Sequence, residues 1–244
     1  MKRRLVVIPT YNEAGFIGKL MTDLVELKLD ILMVDDGSSD GTIEIAKSTD
    51  SKDSQIYFLL RNSKQGLGSA YRAGYAWAID NGYERIIQID GDGSHQVSDL
   101  KSMLRYSDEN PEVELIIGSR WIADGAIENW SKFREILSRT ANRYTQLMLQ
   151  LGVRDATAGF RIYKTALITR MKVNEVKSEG YCFQIEMTRA AQSAHALIAE
   201  FPITFKERET GSSKMSSRIV VEAMLRVTIW GFKRIFRSIS GQPR

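Results

Sequence analysis

The chain has 244 residues, of which 43% are hydrophobic and 26% charged, the composition of an ordinary soluble globular protein. This length is enough to bury a sizeable core as one α/β domain with a small appendage. Cys182 is the single cysteine, so an intrachain disulfide is excluded and a reducing compartment is expected. No apolar run approaches the length of a signal-peptide core or a transmembrane helix, which predicts a cytoplasmic protein.

The net charge of +4 is unevenly placed along the chain. Residues 204–244 carry nine Lys/Arg against three Asp/Glu, a balance of +6, which leaves −2 for the rest of the chain. A basic tail predicts an anionic partner, either a nucleic acid or a membrane surface. The Trp, Phe and Ile content of this tail favours a membrane surface and argues against a nucleic acid.

The first half of the chain alternates short apolar runs with helical patterns. The runs are LVVI at 5–8, ILMV at 31–34, IYFLL at 56–60, IIQI at 86–89 and LII at 115–117. Uninterrupted runs of this kind are typical of parallel strands buried on both faces. Helical stripes lie between them, the first beginning after Asn12, a predicted cap, and another ending before Gly82. We therefore predict an α/β fold with a Rossmann-like, mostly parallel sheet flanked by helices.

The pattern changes beyond residue 120. A long helix is predicted over 131–151, with Phe133, Leu137, Tyr144 and Leu147 near one face. A loop at 155–160, a helix over 180–195 and a strand over 198–205 follow. The predicted division is one domain over 1–217 and a basic amphipathic helical segment over 218–244, which packs either on the domain or on a membrane.

Polar clusters follow three of the predicted strands. They are Pro9 to Glu13, Asp35-Asp36 with the downstream Asp40, and Asp90-Gly91-Asp92. Each cluster alone is explained by a turn followed by a capped helix, with Asp40 a predicted cap. Open α/β sheets, however, bind ligands at the carboxyl ends of their strands, where helix N-termini also present N–H groups to phosphates. Together the clusters predict a site where carboxylates hold a cation bound to a nucleoside diphosphate.

Several longer motifs carry a family resemblance. The stretches VVIPTYNE, VDDGSSDGT, GLGSAYRAG, QIDGDGSH and IGSRW resemble, in order and spacing, those of family 2 glycosyltransferases with the GT-A fold. TAGFRIYK, EGYCFQIEM and FPITFKERETGSSKMS are further similar to the dolichol- or polyprenol-phosphate mannose synthases, especially the soluble bacterial type. The resemblance runs from about Val6 to Gly231.

This resemblance implies an inverting, metal-dependent transfer of mannose from GDP-mannose to a polyprenyl phosphate. The implied cofactor is Mg²⁺ or Mn²⁺. The implied location is the cytoplasmic face of a membrane, as a peripheral protein, with room for a separate membrane-anchoring protein.

The resemblance also implies roles for individual residues. The nucleotide-sugar would contact Pro9, Tyr11, Glu13, Asp36, Asp90, Gly91 and Asp92. The metal would be held by Asp90 and Asp92, with Ser94 standing where relatives carry a Gln that reaches the metal. The implied catalytic residues are Asp92, Arg120, Arg208 and Lys214, the last three also serving the acceptor phosphate. Two positions depart from the family pattern: Gly91 replaces the commoner Ala, and Asp124 replaces one of a pair of glycines.

The chemistry of such a transfer is consistent with these residue types. A departing nucleoside diphosphate needs its charge neutralised, which a metal and Arg/Lys side chains supply. A hydroxyl acceptor would need a general base, whereas a phosphate acceptor, with a second pKa of about 6, is already largely dianionic. His95 is the tempting base, but we expect it to be packed beside a helix start, and we expect His195 to be structural.

Other readings of the sequence are weaker. Gly66-Leu67-Gly68 suggests an NAD-binding Rossmann enzyme, but its third glycine, Gly74, is too distant and the motif follows the wrong strand. A sugar-nucleotide pyrophosphorylase would carry a Gly-rich, Arg-bearing first loop, and a processive synthase would carry membrane spans and a QxxRW motif. The closest alternative is a polyprenyl-phosphate glucosyltransferase using UDP-glucose. A non-catalytic nucleotide-sugar-binding protein is the alternative from another class.

Overall fold

The computed structural model describes residues 3–207 and 217–239. Its strands are β1 (Arg4–Thr10), β2 (Asp30–Asp35), β3 (Ile56–Leu60), β4 (Arg85–Gln88), β5 (Leu115–Ser119), β6 (Ala126–Glu128), β7 (Arg161–Lys164), β8 (Ile198–Pro202) and β9 (Thr204–Lys206). Its α-helices are α1 (Ala14–Glu26), α2 (Thr42–Lys47), α3 (Leu67–Asp80), α4 (Val97–Glu109), α5 (Lys132–Leu149), α6 (Thr165–Arg170), α7 (Gly180–Ser193) and α8 (Ser217–Ile239). The five predicted strands of the first half are confirmed.

Within the described residues, seven strands form a sheet of order β3-β2-β1-β4-β7-β5-β8. Its neighbouring strands run parallel except at β7, which is antiparallel to both β4 and β5. Strands β6 and β9 form a separate parallel pair, so the single strand predicted over 198–205 is in fact two strands in different sheets.

Both faces of the sheet are covered, as its continuous apolar strands predict. Leu5 and Val7 of β1 pack into a core with α3 and α7, while Val6 and Ile8 pack into a second core with α1 and α4. Helix α3 lies very close to the sheet at Gly74, where an added Cβ would stand 2.4 Å from Val7 Cγ1. A larger residue at this position would push α3 off the sheet, which explains the glycine inside a helix.

The start of α1 differs from the prediction. Asn12 does not cap it; Asn12 has φ of 58° and binds Ser38 and Ser39 of the neighbouring loop. The first N–H of the helix, from Ala14, is bonded to Asp40 instead, at 3.0 Å. Asp40 also accepts the N–H of Thr42 at the start of α2, so its predicted capping role is confirmed and extends to two helices.

Helices α5 and α8 pack side by side. The hydroxyls of Tyr144 and Thr228 are 2.6 Å apart, and Gly231 lies against Met148, where an added Cβ would stand 2.5 Å from Met148 Cε. The contacts advance in the same direction along both helices, so α5 and α8 run parallel. Val227 is the buried centre of this interface on α8.

The opposite face of α8 is exposed and apolar. It carries, at helical spacing, Val221, Leu225, Ile229, Phe232 and Phe236, which we call the α8 stripe. Helix α5 also differs from the predicted pattern, since Phe133 and Leu147 are exposed while its body-facing side buries Asn142 and Thr145. Within residues 3–207 and 217–239, none of the helices combines the length and the hydropathy that a membrane span requires.

Candidate active site

A cavity of about 290 Å³ opens at the carboxyl ends of β1 and β4. Its lining includes every predicted site residue that the structure describes, namely Pro9, Tyr11, Glu13, Asp36, Asp90, Gly91, Asp92, Ser94 and Arg120. The strand-end clusters therefore come together, as predicted from the sequence. Arg208 and Lys214 lie outside the described residues.

The two adjacent carboxylates after β2 have different surroundings. Asp35 accepts hydrogen bonds from the Thr10 hydroxyl and from the N–H groups of Gly37 and Ser38, so it holds the turn together. Asp36 lines the cavity, pairs with Arg61 and accepts the Gln65 N–H at 3.0 Å. The turn interpretation thus applies to Asp35, while Asp36 is positioned to meet a ligand.

The β1 side of the cavity carries an unpredicted cation. The ammonium of Lys64 lies 4.3 Å from the centre of the Tyr11 ring and lines the cavity with it. A cation over an aromatic face is held by the ring quadrupole without losing its charge. Lys64 was missed because a single lysine in a polar loop has no distinguishing pattern.

Asp90 is positioned by its neighbours. The Tyr71 hydroxyl donates to Asp90 Oδ1 at 2.7 Å, and His95 Nε2 lies 3.7 Å from Asp90 Oδ2. Burial, and then the charge of Asp90, raise the pKa of Tyr71 well above its ordinary value, so the phenol stays a donor. Gly159 approaches the same carboxylate, since an added Cβ there would stand 3.2 Å from Asp90 Oδ2.

Asp92 and Ser94 lie in the loop between β4 and α4. Asp92 Oδ1 accepts the Ser94 N–H at 3.1 Å, and both residues line the cavity with Asp90. Among the described residues, no three Asp, Glu, His or Cys side chains lie together in a group that could hold a metal ion. Two carboxylates suit a cation that completes its shell with phosphate oxygens and water, as Mg²⁺ does in nucleotide sites. The donor set therefore fits a cation shared with a nucleoside diphosphate.

His95 is packed in the way the sequence predicted. Its ring lies 4.8 Å from that of Phe160 and 5.4 Å from that of Phe205, and it is 5% exposed. Within the described part of the chain, neither ring nitrogen has a hydrogen-bond partner. Packed between these two rings, His95 forms part of the aromatic wall of the cavity.

Arg120, which the resemblance places at the phosphates, is held in the cavity wall by an ion pair. It lines the cavity, but its guanidinium donates to Asp155 through Nε and Nη2, both at 2.7 Å, and to Thr157 at 2.9 Å. Burial raises the pKa of Asp155, but the charge and hydrogen bonds of Arg120 outweigh it and hold that pKa below its ordinary value. Arg120 therefore meets a ligand only as part of an ion pair.

A second arginine lies on the same side of the cavity. Arg134, in the first turns of α5, pairs with Glu207 and lies 4.1 Å from the centre of the Trp130 ring. Both Arg134 and Glu207 line the cavity. Arg134 was not predicted from the sequence, although an arginine at the start of the helix that follows the IGSRW motif could have indicated a second cation at the site.

The start of α3, which follows β3, is held by a carboxylate of the chain. The N–H groups of Gly68 and Ser69 donate to Glu179, at 2.7 Å and 3.3 Å. Arg72 pairs with the other oxygen of Glu179 at 2.9 Å. The dinucleotide-like glycine spacing thus serves an internal contact at this helix start.

The chain matches the Glycosyl transferase family 2 model over residues 5–171 and belongs to that family. It is 40% identical over 235 residues to the polyprenol monophosphomannose synthase of Mycolicibacterium smegmatis, covering 95% of this chain and 88% of that protein. It is also 40% identical over 233 residues to the undecaprenyl-phosphate mannosyltransferase of Micrococcus luteus, covering 94% of each. The predicted membership of family 2 is confirmed, and the protein is a glycosyltransferase.

Solved structures confirm the predicted fold. The glucosyl-3-phosphoglycerate synthase of Mycobacterium tuberculosis in complex with phosphoglyceric acid aligns with a TM-score of 0.64, covering all of this chain and 81% of that one at 16% identity. The same enzyme in complex with Mn²⁺, UDP-glucose and glycerol 3-phosphate gives a TM-score of 0.61 at 17% identity, covering all of this chain and 82% of that one. The fold is that of the GT-A glycosyltransferases.

Proposed function

We propose that this protein transfers mannose from GDP-mannose to a polyprenyl phosphate, with a divalent cation and with inversion at the sugar carbon. The observation that carries the proposal is chain-wide similarity to two proteins named for mannosyl transfer to such lipids. The cavity supports it, because carboxylates and arginines meet there in one space. Products are the polyprenyl phosphate mannose and GDP.

The donor half of the site is the edge formed by β1, β2 and β4. Pro9, Tyr11, Glu13 and Asp36 line the part of the cavity assigned to the nucleotide. Asp90 and Asp92 would hold Mg²⁺ or Mn²⁺ against the diphosphate, and the bound cation neutralises the charge of the leaving GDP. A structural neighbour, the glucosyl-3-phosphoglycerate synthase of Mycobacterium tuberculosis, holds Mn²⁺ and UDP-glucose together, which is consistent with this use of the fold.

The acceptor half is assigned to the arginine side. Arg120 and Arg134 bring positive charge to the cavity and carry Asp155 and Glu207 as counter-charges. A phosphate monoester is largely dianionic at neutral pH, so its oxygen attacks the sugar carbon without a protein base. Attack opposite the departing diphosphate inverts the configuration at that carbon. His95, packed between Phe160 and Phe205, has no role as a base in this proposal.

The α8 stripe suits a surface where the lipid acceptor resides. Large apolar side chains form its centre, and Arg226 and Lys233 are exposed beside it. A helix with an apolar face and basic flanks lies in a membrane interface, drawn there by buried apolar area and anionic lipids. We therefore propose peripheral membrane binding on the cytoplasmic face, to the bilayer itself or beside an anchoring protein.

The deciding experiment follows label from donor to lipid. Purified protein is incubated with Mg²⁺ or Mn²⁺, a polyprenyl phosphate and either radiolabelled GDP-mannose or UDP-glucose. Label entering the organic phase from GDP-mannose alone supports the proposal, and NMR of the product tests for the β-anomer that inversion requires. Label from UDP-glucose alone would show a glucosyltransferase instead. Lipid-borne label from neither donor, with donor binding retained, would indicate another acceptor or a binding protein.

Metal dependence is tested in the same assay. We expect EDTA to abolish transfer and added Mg²⁺ or Mn²⁺ to restore it. Without the cation, the negative charge of the leaving diphosphate would develop beside the like charges of Asp90 and Asp92. Calorimetry of GDP-mannose binding with and without the cation provides a readout independent of turnover. Full activity in EDTA would contradict the assignment of Asp90 and Asp92.

A further inference from the structure

A second cavity, of about 60 Å³, lies between α5 and α8. Its walls are largely apolar, and its lining includes Ala141, Thr157, Tyr181, Ala223 and Val227. We call it the α5–α8 cleft. Alanines at 141 and 223 leave room where larger side chains would close the helix pair, so the cleft follows from the small residues on the facing sides.

The cleft adjoins the candidate active site. Thr157 and Tyr181 line both cavities. Thr157 also accepts a hydrogen bond from Arg120 at 2.9 Å, so the cleft begins one side chain from an active-site guanidinium. One end of the combined space is therefore cationic and the other apolar.

We propose that the α5–α8 cleft binds the isoprene units of the acceptor next to its phosphate. The proposal rests on the proposed function, since it names where the lipid part of that acceptor lies. A ligand with an anionic head and an apolar chain matches the combined space, whereas a nucleotide or a sugar would lose hydrogen bonds to water in the cleft without replacing them. Burial of the chain removes apolar surface from water, which stabilises the complex.

The position of α8 agrees with this assignment. Ala223 and Val227 face the cleft, while Leu225 and Ile229 belong to the exposed α8 stripe on the other side of the helix. With the stripe in a membrane interface, α8 separates the bilayer from the cleft by the width of one helix. A lipid chain can then leave the bilayer beside α8 and still present its phosphate at Arg120.

The test fills the cleft and varies the acceptor chain. Ala141→Trp and Ala223→Phe each place an aromatic ring in the cleft, and Thr140→Trp adds the same ring at an exposed neighbouring position of α5. KM and kcat are measured in detergent, which removes any contribution of membrane binding, with prenyl phosphates graded from a single isoprene unit to a long chain. Wild-type KM should fall as the chain lengthens, then level off when the cleft is full.

The cleft variants should lose this chain-length dependence. We expect KM for a long acceptor to rise about tenfold or more in Ala141→Trp and Ala223→Phe, the discrimination typical of a hydrophobic pocket. GDP-mannose binding measured by calorimetry, and the thermal midpoint, should match those of Thr140→Trp, which reports that the fold and the donor half are intact. Loss of donor binding in one variant leaves the other as the test.

Two results would overturn the inference while leaving the proposed function standing. One is an active wild type whose chain-length dependence is unchanged in both cleft variants. The other is a rise in thermal midpoint with no change in KM, which would show that the cleft is only a packing gap. If the wild type transfers mannose to no prenyl phosphate of the series, the proposed function itself fails.

Discussion

Arg120 and Asp155 form a two-point ion pair, with Nε to Oδ2 and Nη2 to Oδ1 both at 2.7 Å. The backbone N–H of Arg120 donates to Asp155 Oδ2 as well, at 3.1 Å. Both side chains are buried, and Thr157 beside them lines both cavities. This pair ties the end of β5 to the loop before β7 at the place where the two cavities meet.

Asp155→Asn should destabilise the fold by about 3–5 kcal/mol, because it leaves the Arg120 charge buried without its partner. The folded-state pKa of Asp155 is below its ordinary 3.8, so its stabilising contribution is present above that value and is lost as pH falls through the depressed pKa. Urea unfolding at neutral pH and near pH 3 measures both effects. Equal stability of the variant and the wild type at neutral pH would contradict this account.

Tyr71→Phe should weaken the metal-dependent step while preserving the fold, because it removes only the hydroxyl that donates to Asp90. We expect the concentration of Mn²⁺ needed for half-maximal activity to rise by about 10- to 100-fold, the usual effect of losing a partner of a metal ligand. Mn²⁺ binding followed by electron paramagnetic resonance provides a second readout. Tyr83→Phe, whose hydroxyl donates to Asp30 at 2.8 Å, is the matched control and should behave as wild type.

Asp92→Ala should abolish transfer and leave the fold intact, since Asp92 is only half-buried and lines the cavity beside Asp90, where the proposed function places the cation. A loss of at least about 10²–10³ in kcat is expected from removing a charge-stabilising group. Circular dichroism and the thermal midpoint report on the fold, with Asp50→Ala as an exposed control. Full turnover by a folded Asp92→Ala protein would remove this residue from the site.

Arg208→Ala and Lys214→Ala should each raise KM for the donor or the acceptor, because the resemblance places both residues at the phosphates. Their positions lie outside the described residues, so the prediction depends on the sequence motif alone. Steady-state kinetics with each substrate varied in turn distinguish the two roles. If both variants keep wild-type constants for both substrates, neither residue belongs to the site.

Replacement of Phe232 and Phe236 together by Ser should weaken binding to anionic vesicles at least tenfold, given about 1.5–3 kcal/mol for each buried Phe. Vesicles of phosphatidylglycerol and phosphatidylcholine at low salt provide the surface, and binding should fall as salt screens the basic residues. Leu60→Ser, at an exposed apolar position on β3, is the control. A wild-type protein that stays unbound at low salt would refute the prediction.

The strands of the first half were predictable because a strand buried on both faces leaves a continuous apolar run. The antiparallel β7 was not, since RIYK is short and polar at both ends. Its direction matters for the site. The residues that precede an antiparallel strand lie at the same edge as those that follow a parallel one, so Thr157 and Gly159 enter the cavity from a segment read only as a loop.

The candidate site was predictable where chemistry is local and not where it depends on distant partners. Asp90 and Asp92 closely follow β4, at the edge of the sheet where open α/β folds bind ligands. The pairing of Arg120 with Asp155, 35 residues away, and of Glu179 with the start of α3 are tertiary contacts that no short pattern encodes. The sequence motif therefore indicated that Arg120 is at the site but not how it is oriented, and Lys64 and Arg134 were not predicted.

The arginines around the cavity carry their own counter-ions: Arg61 pairs with Asp36, Arg120 with Asp155 and Arg134 with Glu207. Such a site exerts a weaker long-range field than free guanidinium groups would. Small anions abundant in a cell gain little by entering it, since each would have to compete with a carboxylate already in place. Under the proposed function, a ligand that arrives with its own divalent cation is held by Asp90 and Asp92 instead, so occupancy would depend on the metal and the diphosphate arriving together.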